Sequence, residues 1–447
     1  MKLAWLSPFC TNSAIGRFSQ AVTDELAKSV SVDLWVDSRE DLLRTNLPVI
    51  EYNPEPPRHL WWPEHTYDFA ICNFGDYLPY HRRIFEFSRK VPSVAILHDY
   101  VMHHFFAGYY QVVLNDLSAH LRRVENLYGA PAREANDRAL HGEGQWIWDT
   151  DEVVNFPMFE DCLSGAMAAV SHSRFLRDRA ETVFPGPVEH IPLAYPVDLN
   201  RRVVQLGQFG LPPGKLLLLT VGNVNRNKRV DEAIACLAAD RDLAARVFYL
   251  VCGHVEPSAR ERLERLIRST GLADTVRLTG RVGAAELHSL MKAADICINL
   301  RNPAMEGGSA SLVELMLYGK AGVVSDTGVY ADMPDDCILK VRPEREAEDL
   351  ADALSRLVSD AALRKRLGLR AREHAESNFT PSAYAGRLLA FLDDVGSLKP
   401  VFLPAYRASR ILSDMNIPPD MPIVRTVAEM CAEMFCRPAD EAPFNRK

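Results

Sequence analysis

The chain has 447 residues, of which 47% are hydrophobic and 25% charged, and its formal net charge is −8. This length exceeds one ordinary hydrophobic core and predicts two or three domains. The composition excludes a disordered or fibrous chain. Because the balance is acidic and the basic residues are scattered, a nucleic-acid backbone is not expected as the main partner, and any bound phosphate should be recognised locally.

The cysteines indicate a reducing compartment. There are nine of them, and most stand singly within apolar runs such as YLVCG and ICINL, which is typical of buried thiols rather than of a disulfide framework. We therefore expect a cytoplasmic protein. The opening MKLAWLSPF is too short to predict a signal peptide, and no apolar run is long enough for a membrane span. Cys431 and Cys436 have no second pair at ligand spacing, so they do not predict a metal site.

Short apolar strands alternate with helical patterns in the first part of the chain. KLAWLS is followed by a predicted helix over 16–28, with Phe18, Val22 and Leu26 on one face, and then by the strands VSVDLWV, YDFAICNF and SVAILHD. A mostly helical insert is predicted over 101–165, and AAVSHS and VEHIPLAY follow it as two more strands. The alternation indicates a parallel sheet covered by helices on both faces.

A second alternation follows a pause over 196–214, where proline, glycine and charged residues mix as in a linker. Its predicted strands are LLLLTVGN, RVFYLVCG, VRLTGRV, ICINLR, AGVVSD and CILKV, and its predicted helices cover 228–239, 257–270, 284–293 and 309–318. The sequence therefore predicts an α/β fold with two doubly wound parallel-sheet domains facing a central cleft. From about residue 397, five prolines before residue 423 and a short helix predict an appendage.

Two glutamates, Glu306 and Glu314, lie just after the strand ICINLR, within RNPAMEGGSASLVELMLYGKAGVVSD. Ligands of open α/β sheets bind at this end of the strands. On one continuous helix the two residues would lie about 12 Å apart along the axis. Glycosidase carboxylate pairs stand about 5 to 9.5 Å apart. The spacing therefore suits two contacts on one elongated ligand better than an acid/base pair.

The Gly-Gly-Ser turn after the first glutamate suits a phosphate. Gly307 and Gly308 permit close backbone approach, and Ser309 can cap a helix whose free N–H groups would receive an anion. A sugar nucleotide carries hydroxyls on both sides of its pyrophosphate, so Glu306 and Glu314 would contact its two ends. An unpaired carboxylate in the apolar run around Glu314 would be costly without such a role. The alternative is that both glutamates are solvated surface residues.

The ordered set of motifs resembles the family 4 retaining glycosyltransferases, the group 1 type. Glu306-Gly307, Glu314 after seven intervening residues, and LMLYGKAGVVSD resemble the nucleotide-sugar motif of that family. The supporting segments are AIGRFSQAV, ILHDY, VSHSRFLRD, IPLAYPVD, TVGNVNRNKR, LTGRV and ALRKRLGLRAREHAESNFT, so the resemblance covers about 1–395. It implies a GT-B fold with an acceptor-side domain at 1–197, a nucleotide-sugar-binding domain at 198–376, a helix at 377–396 that returns to the N-terminal domain, and an extension at 397–447.

The resemblance also implies the donor contacts. Lys228 would hold the donor pyrophosphate as a compact cation. The backbone around Arg281 and Val282 would meet the base. Glu314 would take the ribose hydroxyls and Glu306 those of the transferred sugar. The phosphates would lie near the amides of Gly307, Gly308, Ser309 and Ala310.

Three positions depart from the family pattern. Asn223 stands where the family usually places an arginine, so one expected phosphate cation is missing, and Arg226 or Arg229 could compensate. Ser309 replaces a second glycine, which a helix cap tolerates. Gly16 is a single glycine where the family often has two or three. Either its backbone contacts the donor phosphate or the acceptor, or it is an ordinary turn glycine.

The implied mechanism needs no nucleophile, cofactor or metal. Acceptor attack and leaving-group departure share one face, the donor phosphate takes the proton, and Lys228 stabilises the departing diphosphate. His98 follows the strand SVAIL and would hydrogen-bond the sugar or stabilise charge, although a lone histidine is more often a packed residue. Asp149 to Asp151 imitate a metal-binding D-x-D, but they follow an aromatic WIW rather than a strand, which indicates a solvated loop.

The sequence motifs also bear on alternative functions for a chain with two α/β domains. The sequence has no G-x-G-x-x-G after a strand and no G-x-x-x-x-G-K-[ST], which argues against a dehydrogenase and an ATPase. A sugar-nucleotide epimerase or phosphorylase shares the GT-B fold, and a scaffold that binds a donor without turnover is the non-enzymatic alternative. The expected function is transfer from a UDP- or GDP-sugar to a glycan in polysaccharide or envelope biosynthesis.

The acceptor is the least specified partner. The N-terminal domain and its insert would form its site, and VMHHFFAGYYQVV would present aromatic surface to a lipid-linked glycan or form a buried aromatic helix. A lipid-linked acceptor would bring the chain to the inner face of the membrane as a peripheral protein. The segment 397–447 is a candidate oligomer contact.

Overall fold

A computed structural model describes residues 1–63, 65–415, 417–418 and 420–435, and in it the chain forms two parallel sheets of seven and six strands. Two buried hydrophobic clusters lie against each sheet, one on each face. The predicted fold class, two doubly wound α/β domains, is confirmed.

The N-terminal sheet is built from seven strands, which are β1 (Lys2–Leu6), β2 (Ser31–Val36), β3 (Val49–Glu51), β4 (Phe69–Phe74), β5 (Ser93–Leu97), β6 (Ala166–Ser171) and β7 (Val188–His190). Their spatial order is β3-β2-β1-β4-β5-β6-β7 and every pairing is parallel. Leu3 and Trp5 pack into one hydrophobic cluster, whereas Ala4 and Leu6 pack into the other. Successive side chains of a strand point to opposite faces, so an uninterrupted apolar run fills two cores.

The helices of this half are α1 (Ala14–Leu26), α2 (Leu78–Ser88), α3 (His103–Gly108), α4 (Leu117–Tyr128), α5 (Ala130–Leu140) and α6 (Arg174–Val183). Helix α1 begins two residues before the predicted start because Ser13 caps it, with its Oγ accepting from the Gly16 N–H at 3.0 Å. Helices α3 to α5 belong to the predicted helical insert. The insert also holds a π-helical turn at Tyr109–Val113 and 3-10 turns at Ile147–Asp149, Asp151–Asn155 and Phe159–Leu163.

The C-terminal sheet has six parallel strands, β8 (Leu216–Val221), β9 (Val247–Cys252), β10 (Val276–Gly280), β11 (Ile296–Asn299), β12 (Ala321–Ser325) and β13 (Leu339–Val341). Their order is β10-β9-β8-β11-β12-β13. The helices between and after them are α7 (Val230–Ala239), α8 (Arg241–Arg246), α9 (Pro257–Ser269), α10 (Ala284–Ala293), α11 (Ala310–Leu317), α12 (Gly328–Ala331), α13 (Glu346–Ser359) and α14 (Ala361–Asn378).

The chain returns to the N-terminal domain in helix α15 (Pro381–Asp414). Its Tyr384, Leu388 and Leu392 share a buried cluster with α1. The sequence places the end of this helix at residue 396, but the helix continues through Pro400 and Pro404. Proline in a helix interior removes a hydrogen bond. Tertiary packing offsets this cost, because side chains of this stretch, Phe402 and Leu403, also pack on the N-terminal core.

The last described helix, α16 (Pro422–Phe435), packs against α15. Residues 436–447, which include Cys436 and the end of the predicted oligomer contact, lie outside the described residues. None of the helices in the described ranges is long and apolar enough to cross a membrane.

One backbone joint connects the two domains beside the cleft. The Met305 carbonyl accepts from the N–H groups of Tyr100 and Val101, both at 2.9 Å, and the Gly307 N–H donates to the His98 carbonyl at 2.9 Å. Asp99 and Glu306 face each other in this short antiparallel pairing. The loop after β11 is thereby held against the loop after β5, which brings the sequence-predicted residues of both domains to one place.

Candidate active site

A cavity of about 450 Å³ lies between the domains, at the carboxyl ends of the strands. Its N-terminal wall comes from the start of α1 and from the loops after β4 and β5, and its C-terminal wall includes Asn223, Gly308 and Ala310. Ser13 and Ala14, at the start of α1, and Ala310, at the start of α11, line the same space. Two helix N-termini therefore border this cavity, where their free N–H groups favour an anion.

Glu306 lies in the loop before α11 rather than on the helix, so the two glutamates do not share one continuous helix. Its Oε1 accepts from Arg301 Nε at 2.7 Å and from the Tyr330 hydroxyl at 2.6 Å, and its Oε2 accepts from the Met305 N–H at 3.2 Å. Burial opposes its charge, but Arg301 and Tyr330 outweigh burial and hold the pKa of Glu306 below its usual value. The carboxylate stays ionised, with acceptor capacity left on Oε2 for a ligand hydroxyl.

Glu314 lies on α11, and its carboxylate has no hydrogen-bond partner in the part of the chain that the structure describes. Burial raises the pKa of Glu314 to about 7, while the charge of Arg17 on α1 opposes the rise. Neither glutamate is a solvated surface residue, because both are at most partly exposed. A half-buried carboxyl without a partner is suited to hydroxyl donors from a ligand.

Lys228 ends the 3-10 turn before α7 and is 5% exposed. Its Nζ donates to the Val221 carbonyl at 2.5 Å, and a Cβ on Gly222 would lie only 2.4 Å from Nζ, so this approach requires glycine. Burial, together with repulsion from Arg301, lowers the pKa of Lys228 to about 6, and Glu306 partly opposes this shift. Lys228 and Arg301 are thus two buried basic groups near one carboxylate, and an anionic ligand would favour the charged form of Lys228.

The two arginines that could replace the missing family arginine are engaged elsewhere. Arg229 donates to Glu346 and Glu232, and Arg226 pairs with Asp151 of the helical insert at 3.5 Å. Asn223 is exposed and lines the cavity, where it offers an amide instead of a charge.

The four amides near the predicted phosphate site are not equivalent. The Gly307 N–H is used by the His98 carbonyl and is unavailable to a ligand. Gly308 packs closely, since a Cβ there would lie 3.0 Å from His172 Cβ. Ser309 caps α11 as expected, with its Oγ accepting from the Leu312 N–H at 3.3 Å. Gly308 and Ala310 line the cavity, so this end of the turn is the part open to a ligand.

The remaining predicted donor contacts are Gly16, Arg281 and Val282, and their surroundings differ. A Cβ on Gly16 would lie 2.6 Å from the Pro8 carbonyl oxygen and 2.9 Å from that of Cys10. Close packing therefore explains why glycine is required at position 16, and the Gly16 N–H donates to the Oγ of Ser13, which caps α1. Arg281 and Val282 follow β10 at the edge of the sheet and are not among the residues that line the cavity. Their contact with a base stays a prediction.

His98 lines the cavity within a buried chain of polar groups. Its Nε2 lies 3.0 Å from Asn73 Oδ1 and its Nδ1 lies 3.2 Å from His172 Nε2, while His172 Nδ1 lies 3.0 Å from the Ile191 carbonyl oxygen. Burial, with repulsion from His172, keeps the pKa of His98 well below its usual value. Both ring nitrogens thus have protein partners, so direct proton transfer by His98 would first require a partner to move.

Sequence reasoning missed three polar residues at this site, namely Arg301, Tyr330 and His81. Arg301 and Tyr330 hold Glu306, whereas His81 and Asp99 line the cavity. Asp99 was expected at the cleft because it follows the strand SVAIL together with His98, but no role was predicted for it. Asp149 and Asp151 are exposed in 3-10 turns of the insert. Within the described ranges, no group of three or more His, Cys, Asp or Glu side chains is placed to hold a metal ion.

Known proteins share both the sequence pattern and the fold. The family described as "Glycosyl transferases group 1" matches residues 204–374. D-inositol 3-phosphate glycosyltransferase of Thermobifida fusca is 29% identical over an alignment of 228 positions, which covers 48% of this chain and 50% of that protein. Alpha-D-kanosaminyltransferase of Streptomyces kanamyceticus is 26% identical over 44% of this chain and 50% of that protein. The chain thus matches about half the length of these curated relatives.

Solved structures cover more of the chain. Sucrose-phosphate synthase of Thermosynechococcus elongatus has a TM-score of 0.59 at 16% identity, over 88% of this chain and 99% of that one. Anabaena Alr3699/HepE in complex with UDP has a TM-score of 0.59 at 15% identity, over 88% of this chain and 100% of that one. At these identities the likeness establishes the fold alone, which is GT-B.

Proposed function

We propose that this chain is a group 1 glycosyl transferase, which transfers a sugar from a nucleoside diphosphate sugar to a hydroxyl of a glycan acceptor. The observation that carries the proposal is the pair of buried basic side chains, Lys228 and Arg301, near the single carboxylate of Glu306. A lysine that is 5% exposed and has no carboxylate of its own is unfavourable in the free protein. A donor diphosphate would supply the matching charge.

The donor would lie along the start of α11. Its phosphates would sit among Lys228 and the amides at the open end of the 308–310 turn, which border the cavity. Glu314 would accept from the ribose hydroxyls, and the remaining capacity of Glu306 Oε2 would accept from the transferred sugar. Solved relatives are described as complexes with UDP and with UDP-glucose, which supports a uridine donor over a guanosine one.

The mechanism would be retaining and metal-independent. The acceptor hydroxyl would attack from the face that the diphosphate leaves, and the donor phosphate would take its proton. Lys228 would stabilise the charge that develops on the diphosphate, and its pKa would rise as it does so. Glu306 stays ionised and His98 keeps both partners, so these two side chains would orient the donor sugar rather than exchange protons.

The acceptor would enter from the N-terminal domain. A glycan on a lipid carrier would place this chain at the inner face of the membrane, in polysaccharide or envelope assembly. These finer assignments, like the cytoplasmic location, follow from the family resemblance and are part of the proposal.

The test is calorimetric titration of the purified protein with UDP, GDP and UDP-glucose, followed by release of UDP in the presence of glycan acceptors. We expect micromolar or tighter UDP binding that Glu314→Ala weakens. Because Glu314 sits on the helix surface beside Arg17, its loss should remove ribose contacts without emptying the core. Binding without any turnover would favour the donor-binding scaffold, which the asparagine at position 223 and the occupied Gly307 amide make the second candidate.

A further inference from the structure

One end of the cavity is built from hydrogen-bond acceptors. We call it the Gly75 pocket and define it by Gly75, Ile15, His81 and Asp99. A Cβ on Gly75 would lie 2.6 Å from Ile15 Cδ1, 2.8 Å from His81 Nε2 and 3.3 Å from Asp99 Oδ2, so these three side chains converge on one point. These side chains pack tightly around Gly75, and all four residues line the cavity, so this end of the cavity is bordered by an imidazole and a carboxyl.

The imidazole of His81 presents a lone pair to the pocket. The side chain is 1% exposed, and its Nδ1 lies 3.0 Å from the Asn73 carbonyl oxygen. A carbonyl only accepts, so Nδ1 carries the hydrogen. Burial lowers the pKa of His81 to about 4, so the ring is neutral and Nε2 has no hydrogen to donate. Nε2 has no protein partner among the described residues, and His81 lines the cavity.

The carboxyl of Asp99 adds acceptors of the same kind. Its Oδ2 accepts from the Asp76 N–H at 2.9 Å, and its Oδ1 has no partner in the described part of the chain. Burial, together with the neighbouring carboxylates of Asp76 and Glu306, raises the pKa of Asp99 to about 7. Asp76 itself is occupied by His104 Nδ1 at 2.6 Å and by the Phe105 N–H at 2.8 Å. Within the described ranges, no lysine or arginine lines this cavity.

We propose that the Gly75 pocket binds the acceptor ring, and that this ring carries hydroxyl or ammonium groups at the pocket and no phosphate. This inference rests on the proposed function and specifies its acceptor. His81 Nε2 is an acceptor, and the Asp99 carboxyl accepts at both oxygens once it is ionised above about pH 7, so hydroxyl and ammonium groups of a ligand would satisfy both residues. At that pH a phosphate would face the Asp99 carboxylate in a described cavity lined by no lysine or arginine, which is repulsive and costly to desolvate. The chain would thus differ from its relatives named for inositol 3-phosphate.

Three cyclitols of similar ring size test the charge preference, namely myo-inositol (neutral), 2-deoxystreptamine (cationic) and myo-inositol 3-phosphate (anionic). Each is titrated into the UDP-saturated protein in a calorimeter at about pH 8, where the Asp99 carboxyl is mostly ionised. We expect the first two to bind, each roughly tenfold or more tighter than the phosphate, given the strength of hydrogen bonds to charged groups. Equal or tighter binding of the phosphate would overturn the proposal, as would the absence of binding by all three.

Variants locate the binding in the Gly75 pocket. Asp99→Asn should weaken 2-deoxystreptamine roughly tenfold or more and reduce its advantage over myo-inositol. Asp151→Asn, a change at an exposed carboxylate of the insert, is the matched control and should leave all three affinities unchanged. An unchanged 2-deoxystreptamine affinity in Asp99→Asn contradicts the proposal.

The first step of the experiment separates the two hypotheses. Failure of the unmodified protein to bind UDP contradicts the proposed function. Binding of UDP together with a preference for the phosphorylated cyclitol contradicts only the acceptor inference.

Discussion

Both sides of the cleft contain buried polar groups without a protein partner, but the kind of partner that is missing differs between the two sides. On the C-terminal side, Arg301 pairs with the Glu306 carboxylate, whereas the buried amine of Lys228 has no carboxylate of its own to stabilise its charged form. On the N-terminal side, His81 and Asp99 offer acceptors and no cation lines the described cavity. Since unpaired buried polar groups are costly, each wall indicates the ligand that would satisfy it. An anion is expected on one side and a hydrogen-bond donor on the other.

The largest expected effect is a loss of folding stability in the variant Arg301→Met. This change leaves the Glu306 carboxylate, whose side chain is 18% exposed, without its cation. Breaking a buried pair by removing one partner costs about 3–5 kcal/mol, and we expect a loss of that size in the free energy of unfolding, measured by urea denaturation. Adding Glu306→Gln should recover part of the loss. A single variant as stable as the parent would show that Arg301 does not hold the loop.

Lys228→Met should instead preserve the stability of the fold and weaken UDP binding. Lys228 is buried without a carboxylate of its own, so its removal should leave the free energy of unfolding unchanged or raise it. UDP affinity should nevertheless fall by roughly 10- to 100-fold, the effect of losing a hydrogen bond to a charged group. Lys365→Met, at an exposed position on α14, is the matched control. If both variants bind UDP equally well, Lys228 does not bind the diphosphate.

Proton uptake on UDP binding is the next expected effect. The pKa of Lys228 is lowered to about 6 in the free protein, so at about pH 8 the amine is mostly neutral. A bound diphosphate would raise this pKa, so binding takes up a proton and the affinity falls as the pH rises above about 6. Calorimetry at about pH 8 in two buffers of different ionisation enthalpy measures the uptake. The Lys228→Met variant should lose it, and an uptake that persists there would assign it to another group.

The smallest effect should come from Arg226→Ala. The pair of Arg226 with Asp151 spans 3.5 Å, and its side chains are 74% and 46% exposed. Such pairs contribute at most about 1 kcal/mol and are screened by salt. UDP affinity should stay within experimental error of the parent. A loss comparable to that in Lys228→Met would instead identify Arg226 as the replacement for the missing family arginine.

The sequence predicts the sheets well because nearly every strand is a continuous apolar run between turn residues. It predicts the bounds of helices less well. The helix expected from 228 begins at Val230, which leaves Lys228 in the preceding 3-10 turn, and α15 continues past 396 because its later residues pack on the N-terminal core. Local propensity is readable along the chain, whereas this packing is not.

The sequence predicts the site residues that follow strands, but it does not predict the partners that the folding of a loop brings to them. Glu306, Glu314, Lys228 and His98 all follow strands, so their approach to one cleft could be expected. The partners of Glu306 could not be expected, since Arg301 precedes it by five residues and Tyr330 follows it by 24. No periodicity connects such positions. The free nitrogen of His81 depends on the direction of its ring, which only the fold determines.

The backbone joint between residues 98–101 and 305–307 has a consequence for the order of events in a catalytic cycle. Its three hydrogen bonds tie Asp99 and Glu306 side by side, so the domains cannot separate at this edge of the cleft without breaking all three. A donor that requires more space to enter must therefore enter before the joint forms, and its nucleotide must leave after the joint opens. Opening of this joint is thus a step that both donor entry and nucleotide release would share.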